Sequence, residues 1–258
     1  MSQQLSFTPR VLTAPPLAID PDEVLRFQGY KKSVDTPGPE VLALFDQALA
    51  LGRSLIAPRA VVRWLAVTRL SPDTVEAGGV ALTIPEVQRL WGPIEWVATA
   101  VCTIGEGLER RVAELWAARE LPLASMLDSV GSGAVESLAE YVNDLLCQES
   151  IPLGLPVTNR VSPGYGYWDV SQQKALFALC PGDAIGVSLN EACFMSPVKS
   201  ISLMAAAGTH ARVDHYFSQC ARCWMRDCAY RRTPAKKLST AKPTESRATS
   251  TRAVCPRW

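Results

Sequence analysis

A long run of apolar residues at helical spacing, residues 123–146, is the feature of this chain that most constrains its fold. The apolar positions are Leu123, Met126, Leu127, Val130, Ala134, Leu138, Tyr141 and Leu145. This spacing places them on one face of an amphipathic α-helix. The opposite face carries small or acidic residues, namely Ser129, Ser132, Gly133, Glu136 and Glu140. Exposed helix faces favour long charged side chains, so these small residues predict that something approaches the helix closely near Glu136. A plain surface carboxylate is the alternative for Glu136.

The remaining hydrophobic patterns predict shorter elements. A second helix is expected over residues 40–50, with Gly52 at its C-terminal end. Extended segments are predicted at residues 61–67, 80–84, 96–103, 184–189 and 198–206, the last two separated by a bend at Pro197. Strands and helices are mixed without a regular βαβ alternation, which favours an α+β fold over a doubly wound one.

Length and charge predict how the chain is organised. A chain of 258 residues with 48% apolar content can bury one full core. Residues 229–258 hold eight Lys or Arg and one Glu, a net charge of +7, which leaves 18 basic and 24 acidic residues in the rest. We expect a flexible arm over residues 1–20, a domain over 21–217, a cysteine segment over 218–232 and a basic disordered tail over 233–258.

The composition argues against several partners and reaction types. The basic tail has no interleaved aromatic residues, so we expect no nucleic-acid partner. No stretch approaches the roughly 18 apolar residues that cross a membrane, and no signal segment opens the chain, so a soluble cytoplasmic protein is expected. The chain has two His and lacks G-x-S-x-G, H-E-x-x-H and glycine-rich phosphate loops, which excludes the common hydrolases and nucleotide-binding folds.

A short run at residues 160–166, which reads RVSPGYG, is the best candidate for a ligand site. Pro163 fixes its own φ and biases Ser162 toward extended geometry. Gly164 and Gly166 flank Tyr165, so the backbone can turn sharply and approach a ligand without obstruction. The loop thus offers the Arg160 cation, backbone amides and one phenol, which suits a small zwitterion with a carboxylate. An ordinary Pro-Gly turn with an exposed Tyr is an equally good interpretation of the spacing.

The same run resembles the R-x-x-P-G-Y signature of the activation domain of cobalamin-dependent methionine synthase, a domain that binds S-adenosylmethionine (AdoMet) and remethylates oxidised cobalamin (vitamin B12). Residues 185–195 (IGVSLNEACFM) resemble a strand of that family, and residues 136–141 (ESLAEY) resemble one of its helices. Further similar positions are residues 24–30, residues 102–105, Gln173, Leu176, Phe177, Pro197, Ser200 and Ser202. The chain is therefore identified as a free-standing homologue of this domain over roughly residues 24–204.

The resemblance implies a twisted antiparallel sheet flanked by helices, and it implies roles for the motif residues. Arg160 would pair with the AdoMet carboxylate, and Glu136 would accept from the ammonium group. Tyr165 would face the cobalt as the catalytic residue, and Glu191 would belong to the cofactor-binding set. Backbone groups that would hold the adenine and ribose are those of Val161, Ser162, Pro163 and Gly164.

The implied function is AdoMet-dependent reductive remethylation of a cobalamin carried by a partner corrinoid methyltransferase such as methionine synthase. A flavodoxin or ferredoxin would supply the electron, and a methyltransferase of this kind needs no general base. Asn190, Ala192 and Gly154 depart from the family pattern, so the affinity could be lower or the ligand different. Two alternatives stay open: an AdoMet-binding accessory or sensing module without methyl transfer, and an electron-transfer protein built on a metal cluster.

A cysteine cluster near the C-terminus is the basis of the second alternative. Cys220, Cys223 and Cys228 form a C-x2-C-x4-C pattern, whose spacing allows thiolates to surround one ion or an iron–sulfur cluster. The pattern predicts a metal-binding site, iron–sulfur or zinc, and reduced thiols without metal are the alternative. The other cysteines of the body, Cys102, Cys147, Cys180 and Cys193, fall in apolar runs and are expected to lie in the core.

Overall fold

A computed structural model describes residues 5, 7–31, 34–166 and 168–214, and these residues form an antiparallel sheet with helices on both faces. The α-helices of the described residues are α1 (Pro21–Phe27), α2 (Pro39–Leu55), α3 (Val87–Trp91), α4 (Gly107–Ala117), α5 (Leu121–Ser150) and α6 (Gln173–Leu179). The strands are β1 (Arg10–Thr13), β2 (Arg59–Ser71), β3 (Thr74–Ala77), β4 (Val80–Thr83), β5 (Trp96–Thr103), β6 (Ser188–Leu189), β7 (Met195–Ser196) and β8 (Ser200–Ala207).

The main sheet has the order β4-β3-β2-β5-β8, and all neighbouring strands are antiparallel. Strand β2 is long enough to pair with β1 through its first residues and with β3 through its last, with a register shift between Val67 and Arg69. A separate hairpin is formed by β6 and β7. Because helices cover both faces, β5 and the first half of β2 are buried on both sides and are mostly apolar.

Strand β5 shows how the sequence divides between the two faces. Ala98, Ala100 and Cys102 belong to the apolar cluster on the side of α2, α4 and α5, whereas Val97 and Val101 belong to the cluster on the side of α3 and α6. The small side chains on the first face let the long helix pack close to the sheet. The α+β architecture and the strand at residues 96–103 are therefore as predicted.

Helix α5 is buried on far more than one stripe. It begins at Leu121 and ends at Ser150, and its buried residues include Ser129, Ser132 and Gly133 of the predicted small-residue face, whereas Glu136 is half-buried and Glu140 is exposed. Helices α1, α2 and α4 and the strands β5 and β8 all contact it. A helix enclosed in this way lies inside the hydrophobic core and does not merely cover one side of it.

Two predicted boundaries differ for physical reasons. Helix α2 continues to Leu55, and Gly52 lies inside it. A Cβ at Gly52 would lie 2.8 Å from Val130 Cγ1 of α5, so this glycine permits close helix packing and does not end the helix. Strand β1 lies within the segment for which a flexible arm was expected, and Arg10–Thr13 pair with the first residues of β2. The three prolines of that segment flank the strand and do not interrupt it.

The predicted strands beyond residue 184 are also corrected. Residues Asp183–Ile185 form a 3₁₀ turn, and only Ser188–Leu189 of the predicted segment 184–189 is a strand. Residues 185–195, expected as one strand, fold back on themselves between β6 and β7. Asn190 closes that turn, because its side-chain oxygen accepts from the amide of Phe194 at 2.9 Å and its backbone amide donates to the Phe194 carbonyl. Asparagine favours such turns over extended strand.

Two further expectations concern what the described residues contain. No helix among them is long and apolar enough to cross a bilayer. Cys102, Cys180 and Cys193 are buried as predicted, and Cys147 is half-buried. Cys220, Cys223 and Cys228 and the basic tail lie outside the described residues, so the predictions made for them stay predictions.

Candidate functional site

The candidate site lies at the edge strand β8, where the segment before the motif loop is attached. Val161 and Met204 exchange two backbone hydrogen bonds, each of 2.8 Å. Thr158 donates its backbone N–H to the Ala206 carbonyl at 2.8 Å, and its hydroxyl accepts from the Ala206 amide at 3.0 Å. These bonds hold the segment to the sheet and fix where Arg160, just before Val161, leaves the backbone.

Arg160 and Glu136 meet at this edge. Arg160 Nη2 donates to Glu136 Oε2 at 2.8 Å, although the two residues are 24 positions apart in the sequence. The side chains are 20% and 21% exposed, so the ion pair is accessible from solvent but mostly desolvated. The two residues that the family resemblance assigned to the carboxylate and the ammonium of one ligand are thus adjacent. Sequence reasoning did not predict that they would pair with each other.

The loop that follows is closed on itself by backbone hydrogen bonds. The amide of Gly164 donates to the Trp168 carbonyl at 2.9 Å, and the amide of Trp168 donates to the Tyr165 carbonyl at 3.1 Å. Gly164 and Gly166 have φ values of +88° and +63°, which residues with a side chain rarely adopt. Ser162 and Pro163 are buried beneath the loop, and Tyr165 at its tip is 46% exposed. The structure therefore presents the phenol outward on a well-braced turn.

Trp168 is a polar feature of the loop that sequence reasoning missed. Its side chain is 5% exposed and belongs to the same apolar cluster as Leu176 and Met204. Within the described part of the chain its indole Nε1 has no hydrogen-bond partner. A buried donor without an acceptor is unfavourable and is rare in folded proteins. A tryptophan directly after a glycine-rich turn is the sequence signal that could have drawn attention to it.

Helix α6 is tied to the sheet by a buried polar pair. Ser202 Oγ donates to Gln173 Oε1 at 2.9 Å, and both residues are buried. The two positions were among those that resemble the methionine synthase domain. Their hydrogen bond joins α6 to β8 and so helps to position the loop between these two elements. Neither residue adds a charge to the site.

The small-residue face of α5 is covered mainly by the N-terminal part of the chain. A Cβ at Gly133 would lie 2.9 Å from Val24 Cγ2, and Ser129 Oγ accepts from Gln28 Nε2 at 2.6 Å. Ser137 Oγ accepts from the Ala18 amide at 3.0 Å. The close approach predicted for this face is therefore real, but at these positions the approaching group is α1 and the segment before it.

A buried lysine just before β8 packs against the same helix, and sequence reasoning did not predict it. Lys199 is 4% exposed, and its Nζ is 2.9 Å from both Asp128 Oδ1 and Ser132 Oγ. A lysine buried to this extent is stabilised by an opposite charge and by hydrogen bonds. Ser132 is thus occupied by an internal contact and is not part of a ligand-binding face.

Glu191 is separate from these residues in the hydrogen-bond pattern. It lies in the exposed turn between β6 and β7. Within the described ranges no hydrogen bond or ion pair joins Glu191 to Arg160 or Glu136. The structure therefore brings together Glu136, Arg160 and the loop, and it does not join Glu191 to them directly.

The buried thiol of Cys102 lies near the Arg160–Glu136 pair. Burial raises the pKa of the Cys102 thiol to about 12, and the nearby Arg160 cation acts in the opposite direction. Burial also raises the pKa of Cys180 to about 11. No group of three His, Cys, Asp or Glu residues suited to a metal ion is found among the described residues.

Comparison with known proteins agrees with the fold expected from the sequence. The crystal structure of the MetH reactivation domain bound to AdoHcy is similar to this chain, with a TM-score of 0.57 and 14% sequence identity. The match covers 83% of this chain and 82% of that domain. No protein-family model and no curated protein matches the chain. The chain is thus a structural homologue of that domain, and the predicted α+β fold, an antiparallel sheet flanked by helices, is confirmed.

Proposed function

We propose that this protein binds AdoMet and supports the reductive remethylation of cobalamin held by a partner corrinoid methyltransferase. The observation that carries the proposal is the meeting of Glu136 with Arg160 immediately before the Pro-Gly-Tyr-Gly loop, at 2.8 Å. AdoMet ends in an amino acid with one ammonium and one carboxylate, and these two side chains have the complementary charges. The fold adds support, because the MetH reactivation domain to which the chain is similar is bound to AdoHcy.

Each part of the site has a distinct task in this proposal. Arg160 binds the ligand carboxylate, since a guanidinium recognises carboxylates with parallel N–H donors. Glu136 accepts from the ligand ammonium. The braced backbone from Val161 to Gly164 holds the nucleoside, and the buried Trp168 N–H, which lacks an acceptor in the described part of the chain, is suited to a polar atom of the ligand or a water beside it.

Tyr165 is the residue that would face the partner. It stands at the loop tip with its phenol exposed, so a cobalamin presented by another protein can reach it without opening this domain. The methyl group would pass from the AdoMet sulfonium to the reduced cobalamin, with AdoHcy as the leaving product and the electron supplied by a flavodoxin or ferredoxin. This chain contributes the positioning of one reactant against the other, which is a sufficient source of rate enhancement.

Two measurements test the proposal in sequence. Titration calorimetry with AdoMet asks whether the protein binds the ligand, and absence of binding would refute the proposal. Incubation of the AdoMet-loaded protein with a cob(II)alamin-containing methyltransferase and a reductant then asks whether methylcobalamin forms. The matched control is the same mixture with AdoHcy, which has no methyl group to transfer.

The second candidate function is AdoMet binding without methyl transfer, and one observation favours it. Gly154 occupies the position where the resembling family has a second carboxylate, and here it adopts a left-handed φ of +69° at the end of a 3₁₀ turn. Glycine is suited to that conformation, so the chain uses the position for a turn instead of a ligand contact. AdoMet binding with no methylcobalamin formed would support this candidate over the first.

A further inference from the structure

The buried Lys199 ties helix α5 to the start of strand β8. Its Nζ is 2.9 Å from both Asp128 Oδ1 and Ser132 Oγ, two acceptors that lie about one turn apart on α5. We infer that Lys199 is a positioning residue, which holds α5 at the axial position and rotation that bring Glu136 to Arg160. This inference goes beyond the proposed function, because it concerns how the site is built, and only its ligand-binding test rests on that function.

The lysine side chain is seated directly against the helix backbone. Lys199 is 4% exposed, and a Cβ at Gly131 of α5 would lie 3.4 Å from both its Cγ and its Cε. Gly131 lies between Asp128 and Ser132 in the sequence, so the stem crosses the helix at the glycine and the amine reaches both acceptors. A slide or rotation of α5 would break these contacts, since hydrogen bonds tolerate only small changes in distance and angle.

The backbone end of Lys199 is fixed to the sheet. Its carbonyl accepts from the amide of Ile104, the residue after β5, at 3.2 Å. Further along β8, Met204 exchanges two backbone hydrogen bonds of 2.8 Å with Val161, the neighbour of Arg160. Lys199 and Arg160 therefore belong to one continuous part of the sheet.

Glu136 completes a closed circuit of contacts between α5 and the sheet. It lies one turn beyond Ser132 on α5, because residues at i and i+4 share a helix face. From Ser132 the circuit runs through Lys199 into β8. It then passes through Val161 to Arg160 and returns to α5 by the 2.8 Å hydrogen bond from Arg160 Nη2 to Glu136 Oε2. The hydrophobic effect is non-directional, whereas the two polar contacts of Lys199 require one placement of the helix.

The Lys199 charge itself has little direct effect on the site. Asp128 neutralises it at 2.9 Å, so the pair has no net charge and creates only a small potential at Glu136. Replacement of both members of a buried ion pair by neutral residues of similar volume is often close to neutral in stability. The double variant Lys199→Met with Asp128→Asn therefore removes the connection and keeps the net charge unchanged.

Titration calorimetry with AdoHcy on the wild type and on this double variant gives the first test. We expect the double variant to bind about fivefold or more weakly, since residues in one contact network are energetically coupled. Glu149→Gln is the matched control, because it breaks the ion pair with Arg10 at the far end of the same helix and should leave AdoHcy affinity unchanged. Unchanged affinity in the double variant, or an equal loss in Glu149→Gln, would overturn the inference.

A second ligand, 5′-methylthioadenosine, gives a readout that a general weakening of the fold would not reproduce. It shares the nucleoside and the thioether of AdoHcy and lacks the amino-acid end, which is the part proposed to meet Glu136 and Arg160. The double variant should bind it within about twofold of wild type, and equal losses for the two ligands would contradict the inference. If the double variant does not fold, Ser132→Ala removes one of the two contacts on α5 and should show the same selective loss to a smaller degree.

A measurement without ligand separates this inference from the proposed function. In urea unfolding, Glu136→Gln should lower the unfolding free energy less in the double-variant background than in wild type, because Glu136 is no longer held against Arg160. Changes at uncoupled sites are additive, so additive losses would overturn the inference whether or not a ligand binds. Non-additive losses in a protein that binds neither AdoHcy nor AdoMet would refute the proposed function and leave the positioning role of Lys199 intact.

Discussion

Val161 and Met204 exchange two backbone hydrogen bonds of 2.8 Å, and through them the motif loop becomes a continuation of the sheet. The register of this pairing decides where Arg160 stands, because Arg160 precedes Val161 by one residue. Glu136 is positioned independently, by the packing of α5 against the same sheet. The charged pair is therefore defined by the rigid scaffold, with only the loop tip at Tyr165 left to a partner.

Replacement of Arg160 by Ala should weaken AdoMet binding by roughly 1.5–3 kcal/mol, the range for a hydrogen bond to a charged group. Titration calorimetry measures this directly. The matched control is Arg110→Ala, which removes an arginine from an ion pair with Glu106 in which both side chains are mostly exposed. Equal losses of affinity in the two variants would show that Arg160 does not contact the ligand.

Replacement of Tyr165 by Phe should leave AdoMet affinity nearly unchanged and alter remethylation of a partner's cob(II)alamin. The phenol stands at the exposed loop tip, beyond the Arg160–Glu136 pair and the backbone groups proposed to hold the ligand. Calorimetry and a methylcobalamin assay on the same preparation measure the two effects. Parallel losses in both would identify Tyr165 as a ligand contact instead.

Cys220, Cys223 and Cys228 are predicted to hold a metal centre that requires all three thiolates. Protein purified anaerobically should contain close to stoichiometric iron with sulfide, or zinc, and the triple Cys→Ser variant should contain neither. Elemental and sulfide analysis of both preparations measures this. Reduced wild-type protein without iron or zinc would decide for free thiols. AdoMet binding does not depend on that result.

Replacement of the buried Lys199 should destabilise the fold in a way that depends on the new side chain. Lys199→Ala should cost about 1–3 kcal/mol of unfolding free energy, because Ser132 loses its buried donor and a cavity opens. Lys199→Met should cost less, since it keeps the aliphatic stem, whose Cγ and Cε lie 3.4 Å from the position of a Cβ at Gly131. Urea unfolding measures both, and Lys174→Met, exposed on α6, is the control. Identical losses for Ala and Met would show that the ion pair, and not the stem, carries the stability.

The elements that sequence reasoning predicted well are those whose pattern is set by burial alone. Strand β5 was predicted to the residue, because a strand covered on both faces is mostly apolar. The core of α5 was predicted from its spacing. Strand β1 was not expected, since the flanking prolines indicate a loop and its pairing with β2 depends on tertiary contacts.

The candidate site was predicted in part, for a similar reason. The loop composition and the charges of Glu136 and Arg160 are visible in the sequence. Their contact is not, because it depends on how α5 and the segment at β8 meet in space. The buried Lys199–Asp128 pair likewise arises from packing between distant segments. The same is true of the Trp168 N–H, which has no hydrogen-bond partner among the described residues.

Alkaline pH should destabilise the fold through its buried thiols. Burial raises the pKa of Cys102 from an ordinary value of 9.0 to about 12, so the unfolded chain loses this proton at a lower pH than the folded chain does. Below pH 9 both states are protonated and the stability is unaffected. As the pH rises from 9 toward 12 the unfolded state is increasingly favoured, and the unfolding free energy should fall.

Urea unfolding between pH 7.5 and about 10.5 should show a shallower decline in Cys102→Ala than in wild type, whatever its stability at pH 7.5. Cys147→Ala, at a half-buried thiol, is the control and should change the slope less. Parallel slopes in wild type and Cys102→Ala would show that the Cys102 proton is not linked to folding.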